Sequence, residues 1–420
     1  MNISIKAGIL PVALLNTVAM TAANDSIVWK RQVYSTGHVR FRQEVLASPA
    51  MRNYLHTPSI SEFSAYATTE PAAAARIPQL GRGGKQFGME ASSFQQLGAN
   101  SVVWGKASYQ NGKKYDVTWN ETSDFLLLYP YVMGDAKGGD QNYESYRLDG
   151  GYSTRHGKTC YGVDLGYRTL SEYRNRDPRP NNTVADLYAQ GGIGLNIWGS
   201  YSVALTATAG KYKQTNELAF YNELGTQMVY HLTGIGNDFT RFSGQGKNCF
   251  YKGYSIGAEI SMASKETTGW SASAGYLFTR KEKVLTDLNR LPLNRLEVNS
   301  LDGAVGYNNE DYGVRLTGNV AQRKGIDNLF GDATGNIYPQ IGSRKQYDGK
   351  IKKIKAEGFW NVNWTEKTDV NIEPEIACAS FKNSHHTSGN LLKSSDLTMG
   401  VNGKHRSCQR QRTWCVQRQR

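Results

Sequence analysis

Few residues of the 420-residue chain stand at spacings that could do chemistry. Gly81 to Lys85 has the glycines and the lysine of a phosphate loop, but neither its spacing nor the hydroxyl residue that follows the lysine. Gly191, Gly192 and Gly194 fall inside an alternating run, where glycine serves close strand packing or a bend better than it serves a dinucleotide. His385 and His386 are adjacent, so their side chains diverge, and a metal site there would need partners that no spacing supplies. Cys408 and Cys415, with His405 nearby, match no common zinc pattern. The five cysteines (Cys160, Cys249, Cys378, Cys408, Cys415) are scattered and odd in number, which is not a disulfide framework. A hydrolase on a barrel rim would need a serine, a histidine and a carboxylate together; His156, His231 and Asp164 exist, but nothing fixes their mutual distance. No catalytic residue, metal ligand or cofactor is expected.

One polar set does form a pattern. Lys353, Lys355, Glu357 and Asn361 share one face of an alternating segment, and Glu373 and Glu375 share the matching face of the next. Lysines and glutamates opposed on neighbouring strands make a charge ladder. If the other face of those strands meets lipid, these six residues line a lumen, as a solvated wall or as a selectivity ladder for a polar solute.

The elements that would carry them are strands. Tyr161, Val163, Leu165 and Tyr167 point one way and Gly162, Asp164, Gly166 and Arg168 the other. Lys114 to Asn120 alternates too, placing Val117 on the apolar face. So do runs beginning at Tyr201, Tyr254, Trp270, Tyr312 and Ile354. Short connections, such as Asn111-Gly112-Lys113 and His156-Gly157-Lys158, alternate with long ones, such as 213–250 and 321–350. Tyrosine and tryptophan gather near the short ones. Short turns on one side, long loops on the other and aromatic girdles describe an outer-membrane barrel. The apolar content of 39% and the mean hydropathy of −0.54 agree, because only alternate residues would face lipid. The expected fold is an all-β, transmembrane, antiparallel up-and-down barrel of about 14 (14–16) strands.

The ends divide the chain further. Residues 1–23 have the layout of a secretory signal peptide: Lys6, an apolar run to Met20, then Thr21-Ala22-Ala23. Residues 24–84 form an N-terminal extension, either a plug or an early hairpin, with Ser59 to Thr68 as a candidate strand. The barrel is expected over 85–404. Residues 405–420, rich in Arg and Gln and without alternation, are expected to be disordered, as a frameshifted or truncated end or a genuine basic tail. That tail, with Lys404, holds six basic residues and no acidic one, so it accounts for much of the net charge of +13. The remainder has no basic tract interleaved with aromatics, which excludes a nucleic-acid groove.

Phe87-Gly88-Met89-Glu90-Ala91-Ser92-Ser93-Phe94, Val102-Val103-Trp104-Gly105-Lys106-Ala107-Ser108-Tyr109 and Leu128-Tyr129-Pro130-Tyr131-Val132 give the chain a family likeness, together with Arg174 to Pro180, Phe220-Tyr221-Asn222-Glu223 and Thr233 to Asp238. These segments resemble an uncharacterised outer-membrane β-barrel family of Bacteroides-type bacteria. The resemblance covers most of Ser59 to Lys404; it implies fold and outer-membrane location and assigns no residue a role. The expected partners are outer-membrane lipid, the barrel-assembly machinery, and a small polar solute or a surface partner. Three functions follow in order: a pore or solute-transport barrel with long extracellular loops, a non-conducting binding or anchoring barrel, and last a barrel enzyme.

Overall fold

The computed structural model describes residues 37–407, apart from 56–57, 73, 223–226, 245–247, 336 and 366–367. The expected signal peptide lies outside the described residues, as do 408–420.

Fourteen long strands run through the described residues. They are β1 (Ile60–Pro71), β2 (Gly83–Gln96), β3 (Ser101–Val117), β4 (Gly139–His156) and β5 (Thr159–Tyr173). Next come β6 (Arg179–Trp198), β7 (Tyr201–Ala219), β8 (Cys249–Ser264), β9 (Gly269–Leu285) and β10 (Leu291–Asn308). The last four are β11 (Tyr312–Phe330), β12 (Gln340–Thr365), β13 (Thr368–His385) and β14 (Leu391–Ser407). Each pairs antiparallel with the next, so one 14-stranded sheet runs in chain order. This is the up-and-down topology expected, with β1 supplying its first strand ahead of residue 85. No ladder joins β1 to β14 among the described residues, so the sheet is curled and open along that seam.

The two faces differ as the alternation requires. Leu165, Leu205, Ile354 and Trp360 point outward and are more than half exposed. Their neighbours Asp164, Thr206 and Phe359 point inward and are buried. A sheet with a greasy convex face and a polar concave one suits lipid outside and protein or water inside.

Two short helical pieces precede β1: helix α1 (Gly37–Val45) and a 3-10 turn over Pro49–Tyr54. Both lie against the inner face of the sheet. A second inner segment, 118–138, follows β3 and contains the one-turn helix α2 (Phe125–Leu128). The short strands Tyr230–Gly234 and Met133–Gly134 pair, which joins the long connection after β7 to it.

Four expectations change. Asn111-Gly112-Lys113 is not a turn: these residues pair with Phe87, Gln86 and Lys85 in mid-strand, and the chain reverses at 97–100. Gly112 is there because a Cβ would meet the Tyr143 ring at 2.6 Å. Val117 does not face outward. It ends β3 after an irregular step with Asp116 at positive φ, and is wholly buried. The long connections are shorter than their hydropathy suggests, because β11 reaches Phe330 and β12 begins at Gln340. Ladder hydrogen bonding there continues beyond the apolar band, and hydropathy records only the band. Finally, the ordered chain does not stop at 404: β14 pairs with β13 through Ser407.

Outward and inward positions make a direct test. Leu205→Arg should cost about 2–4 kcal/mol in a refolding titration into lipid. Ser273→Arg, on the inner face of β9, should cost far less. Equal costs would contradict the assignment of faces.

Candidate functional site: a lumen capped from both ends

At the short-turn end, α1 and the 3-10 turn cross from one wall to the other. Phe41 packs edge-on against Phe359 of β12, with ring centres 5.4 Å apart. Arg42 is buried and donates to the Ser264 carbonyl at the end of β8 (3.0 Å). On the opposite wall, Tyr54 donates to Asn196 of β6 (2.6 Å), and Ser48 meets Thr206 of β7 at 2.8 Å. Arg52 stacks over Trp104 of β3 at 4.6 Å. The wall is cut to fit: a Cβ on Gly162 would lie 2.2 Å from the Pro49 carbonyl, and one on its register partner Gly192 would lie 3.1 Å from Ala50 Cβ. Leu46, Met51 and Tyr54 are almost fully buried. Side chains of that size contribute about 1.5–3 kcal/mol each when buried, before the entropy of ordering the segment.

At the long-loop end, wall side chains reach in to hold the backbone of 118–138. Asn182 and Asn216 donate to the Glu121 carbonyl (2.9 and 2.7 Å), and Lys283 donates to the Val132 carbonyl (3.0 Å). Arg323 donates to the carbonyls of Leu126, Leu127 and Tyr129. Arg168 grips Asp124 with both terminal nitrogens. At the centre, the buried Arg174 lies 2.9 Å from Glu121 and 2.7 Å from Asp135. Burial raises the Glu121 carboxyl well above its ordinary range and Asp135 adds to that, while Arg174 opposes without overcoming it. Asp135 feels burial too, but Arg174, Glu121 and the Gly138 amide hold it below its ordinary value. Where Glu121 holds its proton, one cation and one carboxylate leave the node neutral, which limits the cost of burying three ionisable groups.

Between the caps, the inward face is polar. Tyr188 donates to Asp149 (3.1 Å) and Asp164 (3.3 Å), and Trp104 Nε1 donates to Asp164 (3.1 Å). Across the sheet, Asn319 donates to Asp302 and Ser300. The candidate ladder divides. Lys355 lies 2.5 Å from Glu357 and 3.3 Å from Glu375, and Glu357 and Glu375 are register partners. Arg315, absent from the sequence-level set, joins Glu357 (3.8 Å) to Glu44 of α1 (2.8 Å). Glu373 pairs with Arg40 of α1. Asn361 sits apart near the turn, bonded to the Glu310 carbonyl and to Asn371. Lys353 is on the same strand face but has no ion pair among the described residues. Three of the six, Lys355, Glu357 and Glu375, therefore form a network, and Glu357 through Arg315 and Glu373 through Arg40 tie the wall to α1. Sequence reasoning missed Arg174, Glu121 and Asp135, since nothing in their separation marks them as neighbours.

A model of a family described as being of unknown function (DUF6850) matches residues 49–417. No curated protein sequence matches. Among solved structures, BauA, the ferric preacinetobactin receptor from Acinetobacter baumannii, matches with a TM-score of 0.40 and 9% identity, over 83% of this chain and 70% of that one. The CymD monoaromatic hydrocarbon channel matches at 0.38 and 8%, over 87% and 92%. The P. putida toluene transporter TodX matches at 0.36 and 8%, over 87% and 94%. Likeness at this level is partial, and the fold stands on the strand order and its two unlike faces.

The node sets a pH dependence. Glu121 has a raised value in the folded loop, so its contribution is complete below the ordinary glutamate value of about 4.3 and is lost as pH rises through the raised one. Asp135 acts in the opposite sense, losing its contribution as pH falls below the ordinary aspartate range. Proteolysis within 118–138 of detergent-solubilised protein should therefore accelerate from mildly acidic to alkaline pH. Glu121→Gln, which fixes the neutral form, should flatten that rise; an unchanged profile in the variant would contradict the node.

Proposed function

This chain belongs to the DUF6850 family of unknown function, and we propose that it is a solute-transport barrel of a Gram-negative outer membrane, closed at rest by its own N-terminal plug. The observation that carries this reading is the plug itself. A short segment spans a polar lumen and touches opposite walls, held by ion pairs and a few buried side chains and by no covalent link. Such a seat is firm enough to block passage and weak enough to be released by a partner or a ligand with differential affinity for the two states. The proposed cargo is a small polar solute, because the walls between the caps offer Asp149, Asp164, Tyr188, Asp302, Lys355 and Glu375 and no continuous apolar track. Lys353, Lys355, Glu357, Asn361, Glu373 and Glu375 are its proposed wall, with Glu357 and Glu373 as latch points for the plug. The proposal includes export by the segment 1–23, insertion by the barrel-assembly machinery, outer-membrane lipid around the convex face, a Bacteroides-type source, and no catalytic role.

A second reading has its own support. The inner loop 118–138 is fastened by wall residues from β4 to β11 and by a buried ionic node, so the long-loop end is capped as firmly as the other. A lumen fixed at both ends suits a non-conducting barrel that binds or anchors a surface partner.

Planar-bilayer recording separates the two. The intact protein should show little steady conductance. Gly162→Val, which drives a side chain into the Pro49 backbone, and deletion of 37–55 should each open large, long-lived steps. Silence in both variants, with a heat-modifiable barrel on semi-native gels, would favour the binding barrel.

A further inference from the structure

The outward face carries a second pattern, one that neither lumen nor caps use. Toward the short turns it is apolar and aromatic. Toward the long loops it turns cationic. On β8 to β10 the cations are matched: Lys252 and Arg280 share Glu282 (3.3 and 2.6 Å), and Arg295 has Glu297 (3.2 Å). On the last three strands they are not. Lys350 of β12 stands directly opposite Lys382 of β13, which stands directly opposite Lys393 of β14. All three are exposed, as is Lys352 one outward position nearer the apolar band. None has a carboxylate within ion-pair distance among the described residues. Asp348, the next outward residue beyond Lys350, is held by Lys345.

Like charges directly opposite across a ladder repel, with Cβ atoms only about 4.5–5.5 Å apart. Three in a row, unrelieved by the sequence, make an electrostatic fault unless an anion is shared between them. The row lies near the apolar band: past one outward row that holds Lys352, Ser380 and Ser395, the next is Ile354, Cys378 and Leu397, all exposed, and Ile376 of β13 follows. An anion at that height, beside that band, is a lipid headgroup. Ammonium groups form charge-assisted hydrogen bonds with phosphate, and each near-surface lysine adds to the attraction of an anionic leaflet.

We infer that Lys350, Lys382 and Lys393, flanked by Lys352, form a binding site for the phosphate groups of an anionic lipid in the leaflet at the long-loop end. The site depends on the sheet spanning a membrane and is independent of whether the lumen conducts. A failure here leaves the bilayer recordings untouched, and silence there leaves this site standing.

The test uses the full-length protein in phosphatidylcholine nanodiscs doped with diphosphoryl lipid A or with its dephosphorylated counterpart, followed by detergent extraction and native mass spectrometry of retained lipid. Wild type should keep the phosphorylated lipid and shed the dephosphorylated one. The triple variant Lys350→Gln, Lys382→Gln, Lys393→Gln should retain at least about tenfold less. A control at the matched cations, Lys252→Gln with Arg280→Gln, should retain as much as wild type. The triple variant should also melt higher than wild type in phosphate-free detergent, since repulsion is removed, and should lose the thermal gain that diphosphoryl lipid A gives the wild type. Equal retention by triple variant and wild type, equal retention of the dephosphorylated lipid, or displacement of the lipid by excess inorganic phosphate would each overturn the assignment.

Discussion

A backbone amide that enters hydrocarbon has no water to bond, so every peptide group in a membrane-crossing strand must find its partner in the next strand. The rest of the molecule follows from that. Continuous pairing forces period-two alternation, which gives the sheet one face for lipid and one for whatever lies inside. Among the described residues, fourteen strands in chain order meet the requirement, and no ladder joins β1 to β14. In a bilayer that seam must close, because an unpaired strand edge cannot stay exposed to hydrocarbon.

The interior is filled by two small cores with a polar layer between them. Near the short turns, Phe41, Leu46, Met51, Trp104 and Phe359 share an apolar cluster. Near the long loops, Leu128, Met133, Tyr251, Leu293 and Phe330 form another. Neither inner segment is long enough to fold alone, and each borrows its hydrophobic surroundings from the wall. The plug is tied by reversible contacts: a tyrosine hydroxyl, a serine–threonine pair and ion pairs to β11 and β13. The loop 118–138 is tied through its backbone carbonyls by five wall side chains, Gln141, Asn182, Asn216, Lys283 and Arg323, and by an arginine node.

The fold was legible because its dominant signal is local. The alternation from Tyr161 to Arg168 and from Tyr312 to Val320 names both faces without any knowledge of the partner strands. Turn positions were less legible. Gly112 makes room for Tyr143 and has no part in a reversal, and a glycine's purpose depends on a neighbour that sequence does not disclose. Strand ends were missed where outward residues become charged while pairing continues, as at Lys324 and Lys350. The lumen set was half legible: the lysine and glutamate pattern located the contact of Lys355 with Glu357 and Glu375, but Arg315 and the latches to Glu44 and Arg40 depend on a segment hundreds of residues away. The node of Arg174, Glu121 and Asp135 left no trace in spacing, because a curled sheet sets its own distances.

The central claim is that the segment ahead of β1 occupies the lumen, seated against the glycine-cut wall of β5 and β6. Ala50 and Gly192 test it directly, since a Cβ at Gly192 would lie 3.1 Å from that of Ala50, close to the separation a disulfide spans. With Ala50→Cys and Gly192→Cys introduced together, mild oxidation of the membrane-embedded protein should give an intramolecular cross-link in high yield, seen as a reducible mobility shift. A folded, heat-modifiable barrel that fails to form this link would place the segment elsewhere and contradict the account.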